Sequence, residues 1–142
     1  MPKRKTIIIA DNEEPNLELI DIMLSKLGFE IEKTTDGKNA LEKIKQKKFD
    51  LALINTILPK VSGWEILREI KSNADLSEMQ VILLTDIENV KEKAESYDLG
   101  AEDYITKPFN FSILAAKIRS VLRNKDFYIN MGKLYAEKHN GN

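Results

Sequence analysis

The chain has no cysteine among its 142 residues. That excludes disulfides, a thiolate metal site and a cysteine nucleophile, and it fits a reducing compartment. Long apolar runs are also missing. No stretch approaches the roughly 18 residues of a membrane span, and no apolar signal-peptide core follows the MPKRK start. These absences predict a cytoplasmic chain with no membrane partner. An excess of charge of one sign is lacking too. Lys and Arg number 22 against 23 Asp and Glu, a net charge of −1. No global field recruits nucleic acid or an anionic surface, so the expected partners are proteins and not nucleic acid. There is no Walker-type loop and no nucleophile–base pair, and the chain is not expected to be an enzyme.

What is present is an alternation of strand and helix. The length suffices for one domain with a proper core, and 42% apolar with 32% charged residues is ordinary for a globular protein. Thr6-Ile7-Ile8-Ile9-Ala10, Leu51-Ala52-Leu53-Ile54 and Val81-Ile82-Leu83-Leu84-Thr85 read as strands buried on both faces. Phe29 to Lys33 is an alternating strand nearer an edge, and Asp103 to Thr106 a short one. Between them run helical patterns. The first has Pro15 in its first turn, Leu17, Ile20, Leu24 and Leu27 inward, and Gly28 at its end. The second is capped by Asp36, with Ala40, Leu41 and Ile44 inward. The third is capped by Ser62 and buries Ile66, Leu67 and Ile70. Val90, Ala94 and Tyr97 line the fourth, a weaker pattern that Gly100 stops. The last runs from about Phe111 to about Arg123, with Leu114, Ile118 and Val121 inward. Right-handed crossovers then give a parallel sheet with helices on both faces.

The division is a domain over residues 1–123 and a C-terminal extension over 124–142. In the extension Phe127, Met131, Leu134 and Tyr135 share a helical face that Gly132 weakens. A docking helix, a dimer contact and the start of a linker are all open for it. Trp64 is expected to cover core, and His139 to be solvated.

In open α/β sheets ligands sit outside the carboxyl ends of the strands. Five polar residues fall there: Asp11 and Asn12, Asn55, Thr85 and Lys107. Singly each is weak, because polar residues commonly end strands. Thr85 alone can bond local backbone, and Tyr104 alone is a half-buried aromatic with its hydroxyl in water. Five at one edge of one sheet are a candidate site.

The segments IIIADNEEPNLELI, LALINTILPKVSGWEIL, VILLTD and GAEDYITKPF carry these residues, and together they resemble a response-regulator receiver domain, the phospho-accepting module of two-component signalling. The similarity spans roughly residues 5–123. It implies the flavodoxin-like strand order 2-1-3-4-5 and a cis Lys107-Pro108 bond. It further implies an acidic pair after the first strand that helps hold Mg²⁺, and a phosphoacceptor Asp at the end of the third. A Ser or Thr after the fourth strand turns toward the phosphoryl group, a Lys after the fifth pairs with it, and an aromatic in the fifth acts as a switch. Asp11, Thr85, Tyr104 and Lys107 match. Asn12 stands in place of the second acid and Asn55 in place of the phosphoacceptor. The resemblance also implies a signalling partner (histidine kinase, output or regulatory protein) meeting the face that runs from Ile87 to Arg123, and leaves a homodimer open.

Both replacements act in one direction. An amide is neutral, its nitrogen lone pair is delocalised, and it does not form an acyl phosphate; neither a base nor a metal rescues it. Mg²⁺ favours oxygen ligands that include carboxylates, and of three such carboxylates only Asp11 remains. The expectation is weak or absent Mg²⁺ binding, a direct Asp11–Lys107 pair and no phosphotransfer. One option for the Asn55 amide is to donate to Thr85 and so favour an active-like rotamer. The alternative is a conventional phospho-accepting receiver in which Asn12 and Asn55 are engineered or variant substitutions. A flavodoxin-like ligand-binding protein or enzyme is a further alternative, although the acidic first loop lacks the Gly/Ser/Thr-rich cradle an FMN phosphate needs.

Overall fold

The computed structural model describes residues 3–140; the outermost residues of both segments named above (1–2 and 141–142) lie outside the described residues. Five strands alternate with five helices: β1 Thr6–Ala10, α1 Glu14–Lys26, β2 Glu30–Thr34, α2 Gly37–Gln46, β3 Leu51–Asn55, α3 Gly63–Ser72, β4 Gln80–Thr85, α4 Val90–Asp98, β5 Asp103–Thr106 and α5 Phe111–Asn140. All strand pairs are parallel, in the order β2-β1-β3-β4-β5. The chain divides into two compact units, Met1–Phe109 and Asn110–Asn142.

In the first unit the central strands are buried on both faces, as their unbroken apolar runs require. Side chains alternate between faces along a strand. Ile8, Ala10, Ala52, Ile54, Val81 and Leu83 therefore join one cluster with Ala40 and Ile44 of α2 and Ile66, Leu67 and Ile70 of α3. Ile7, Ile9, Leu51, Leu53, Ile82 and Leu84 point the other way, where α1 lies along β1 and β2 with Leu17, Ile20 and Leu24 buried. Leu27 is an exception to the reading above. It is the residue after α1 and is exposed, because the chain turns there into the left-handed Gly28.

Asp36 caps α2 by accepting from Asn39 N at 2.7 Å, and Ser62 caps α3 by accepting from Glu65 N at 3.2 Å. Gly63 has a different reason to be glycine. A Cβ there would lie 2.2 Å from the backbone oxygen of Asn55, so α3 starts hard against the end of β3. That contact fixes the loop from Thr56 to Ser62 over the sheet edge.

The fourth helix is inverted relative to its apolar pattern. Val90, Ala94 and Tyr97 are exposed, and the buried residue of α4 is Ser96, whose hydroxyl donates to Lys93 O at 2.6 Å. The first unit therefore carries an apolar stripe outward on α4.

The second unit is a single helix. Leu114, Ala115, Ile118, Val121 and Leu122 are buried at helical spacing. The helix does not end near Arg123 as its amphipathic pattern predicts. It continues to Asn140, because no proline interrupts residues 124–140 and Gly132 costs only about 1 kcal/mol relative to alanine. Phe127, Tyr128, Met131, Leu134 and Tyr135 on this continuation are exposed. Among the described residues no helix is long and apolar enough to cross a membrane.

Candidate functional site

The site lies in the first unit, at the carboxyl edge of the sheet. Asp11 follows β1 and is fully buried. Its Oδ1 accepts from the backbone N–H of Glu13 at 2.9 Å, and its Oδ2 accepts from Lys107 Nζ at 2.7 Å. The Lys107 side chain is 9% exposed, so this is a desolvated ion pair. Lys107 is held from behind as well. Its N–H donates to Thr85 O at 2.7 Å, and its bond to Pro108 is cis. The direct pairing expected from two opposite charges in one small pocket is therefore present.

Asn55 closes β3 and is 3% exposed. Its Nδ2 donates to Asn12 Oδ1 at 3.0 Å and to Ile57 O at 3.1 Å. Both amide hydrogens are thus engaged on the β1 and β3 loops. This overturns the option of a bond from Asn55 to Thr85. A donor two residues from Ile57 meets that carbonyl through the turn of its own loop, and Asn12 supplies the second acceptor across the edge. Thr85 is instead bonded locally: its Oγ1 accepts from Ile87 N at 3.2 Å.

Tyr104 is more deeply placed than an aromatic with its hydroxyl in water. It is 3% exposed, and its hydroxyl lies 3.2 Å from Glu92 Oε2 and 3.4 Å from Ile87 O. Burial pushes its phenol above the ordinary tyrosine pKa; the Thr85 hydroxyl opposes this and the Glu92 carboxylate adds to it. Its ring is 6.3 Å from that of Trp64, which packs against the core as expected. Sequence reasoning does not single out Glu92, and it names Ile87 only as the start of a partner face. An acid in the first turn of a helix is expected simply from the helix dipole, so nothing in the sequence marks Glu92 as a partner of Tyr104.

The donors present do not fit Mg²⁺. Among the described residues no three carboxylate or imidazole groups are placed to share a cation. The one carboxylate left, Asp11, already accepts a backbone N–H on one oxygen and an ammonium on the other. The oxygen of Asn12 accepts from Asn55. Beside Asn12 lies an open depression of about 650 Å³ with the acids Glu13, Glu14 and Asp36 on its border.

Residues 7–119 match the response regulator receiver domain family. The probable transcriptional regulator ycf27 of Galdieria sulphuraria is 33% identical over 127 residues, which cover 89% of this chain and 49% of that protein. The DNA-binding dual master transcriptional regulator RpaA of Synechocystis is 29% identical over 120 residues, 84% of this chain and 50% of that protein. Among solved structures, the response regulator receiver domain protein (CheY-like) of Methanospirillum hungatei aligns with a TM-score of 0.82 at 28% identity, covering 89% of this chain and 99% of that one. The strand order is the one the resemblance implies.

The chain spans about half the length of these two regulators. They overturn the expectation that nucleic acid has no part, since one of them is by name a DNA-binding regulator. That expectation rested on the near-zero charge of these 142 residues. Charge balance in one stretch describes that stretch and does not bear on what a longer relative binds.

Proposed function

The chain belongs to the response regulator receiver family, and from that premise we propose that it is a receiver of a two-component system that signals without accepting a phosphoryl group. The observation that carries this is Asn55 at the acceptor position with both amide hydrogens engaged. An amide nitrogen without an available lone pair does not attack phosphorus. The second support is the Asp11–Lys107 pair, which neutralises the pocket from within. In this reading Lys107 already has its anion and does not await a phosphoryl oxygen. The protein acts as a binding switch and not as an enzyme, and its conformer is set by its own sequence and by whatever binds it. Its output is transcriptional control, by analogy with the ycf27 and RpaA regulators.

Amide-detected nuclear magnetic resonance with beryllofluoride and Mg²⁺, a mimic of the phosphorylated carboxylate, tests the reading. The expected spectrum is unchanged. Shifts at Thr85, Tyr104 and Lys107 would overturn it.

A second reading is favoured by the intact Thr85, Tyr104 and Lys107 and the cis Lys107-Pro108 bond. Here the fold is a conventional receiver altered at two positions. Asn12→Asp with Asn55→Asp then restores rapid labelling by acetyl phosphate. A chain adapted to work without phosphate does not recover it.

A further inference from the structure

The orientation of α4 is unexpected. Its apolar stripe is outward, with Val90 83% exposed, while half-buried Glu92 and buried Ser96 face the body of the first unit. Two hydroxyl–carboxylate bonds tie the helix to β5. Tyr104 of β5 reaches Glu92 Oε2 at 3.2 Å, and Tyr97 of α4 donates to Asp103 Oδ1 at 2.9 Å. The backbone of Glu92 is anchored in the first turn of α4, since its N–H donates to the Asn89 cap at 3.1 Å.

A buried phenol needs a partner for its hydroxyl; without one, the ring is better placed outside, where water bonds it. The Thr85 hydroxyl lowers the phenol's pKa, so it acts on the phenol oxygen as a donor and does not take the phenol's own proton. The Ile87 carbonyl, at 3.4 Å, is at the limit of a hydrogen bond. The carboxylate of Glu92 is nearer, and a charged acceptor makes roughly twice as strong a bond as a neutral one.

Resting on the reading of a receiver that works without phosphoryl transfer, we propose that Glu92 is the positioning residue that holds Tyr104 inward. It thereby fixes α4 with Val90, Ala94 and Tyr97 outward. A bond to a charged acceptor is enough to bias the inward and outward rotamers by about tenfold. No pull from a phosphorylated pocket is then required. The switch is set by a residue of α4.

Trp64 is the only tryptophan and its ring lies beside Tyr104, so it reports on the rotamer directly. Emission and acrylamide quenching of Trp64 are measured on the full chain for Glu92→Ala, Glu92→Gln, Tyr104→Phe and the Glu92→Ala/Tyr104→Phe double variant. Glu92→Ala is expected to change Trp64 emission and raise its quenching. Glu92→Gln, which keeps an acceptor but loses the charge, is expected to fall between the parent and Glu92→Ala. In the Tyr104→Phe background the Glu92→Ala change is expected to have no further effect, because no hydroxyl remains to be held. A parent-like Trp64 in Glu92→Ala overturns the proposal. So does an equal Glu92→Ala effect with and without the Tyr104 hydroxyl. A beryllofluoride response in the parent chain would remove the phosphate-independent reading by itself. The tryptophan comparison fails separately, through the variants alone.

Discussion

Replacing Asn55 by Asp adds no atoms but reverses the hydrogen-bonding logic of the pocket. Asn55 Nδ2 donates at 3.0 Å to Asn12 Oδ1 and at 3.1 Å to Ile57 O, in a side chain only 3% exposed. A carboxylate at that place turns an oxygen toward each of those oxygens. The exposed Asn12 amide recovers its bond by turning over to present its own N–H. The Ile57 carbonyl belongs to the backbone and has no such freedom. One unrecovered bond with a buried charge corresponds to about 2 kcal/mol, or a fall of about 4–8 °C in Tm for a chain of this size. Burial beside acceptors raises the pKa of the new carboxyl in the folded state above its unfolded value. The folded variant then binds more protons than the unfolded one, so its stability relative to the parent falls as pH rises through that interval and recovers toward acid. Thermal unfolding of parent and Asn55→Asp between pH 4 and pH 8 measures both effects. A variant as stable as the parent at the alkaline end, or one that gains on the parent as pH rises, would refute the donor role assigned to Asn55.

Other perturbations follow from the same geometry. Lys107→Met alone leaves the fully buried Asp11 without its cation and is expected to cost about 3–5 kcal/mol in urea unfolding, whereas Asp11→Leu with Lys107→Met recovers most of that. Gly63→Ala drives a Cβ to 2.2 Å from the Asn55 oxygen, so its unfolding free energy is expected to fall by about 1–3 kcal/mol, with Asn55 and Ile57 amide shifts moved. Burial and the bond to Asp103 hold the Tyr97 phenol up at about 12. Since the neutral form is the one favoured by folding, stability is lost as pH climbs from about 10 toward that value. In an ultraviolet titration Tyr97→Phe is expected to remove a late-ionising phenol.

Much of the fold is written in the chain in a form that elementary rules can read. Three unbroken apolar runs specify doubly buried strands, and Asp36 and Ser62 cap the helices that follow. The strand-end rule brings Asp11, Asn55, Thr85 and Lys107 to one edge, and opposite charge predicts the Asp11–Lys107 pair. Other features escape those rules for physical reasons. Apolar spacing on α4 does not say which face turns inward; in the structure Val90, Ala94 and Tyr97 are exposed while Glu92 and Tyr97 bond to β5. The length of α5 exceeds its buried stripe because good helix formers continue a helix after packing stops. The acceptor chosen by Asn55 depends on loop geometry over a few ångströms, which residue spacing does not carry. DNA binding is in the name of the relative RpaA, and the near-zero charge of these 142 residues gave no ground for excluding it from a longer relative.

The claim that Asn55 does not take a phosphoryl group is open to a direct measurement. Incubating the full chain with acetyl phosphate and Mg²⁺, and reading its intact mass, is predicted to return the unmodified protein. A mass gain of one phosphoryl group that maps to Asn55 would contradict the account.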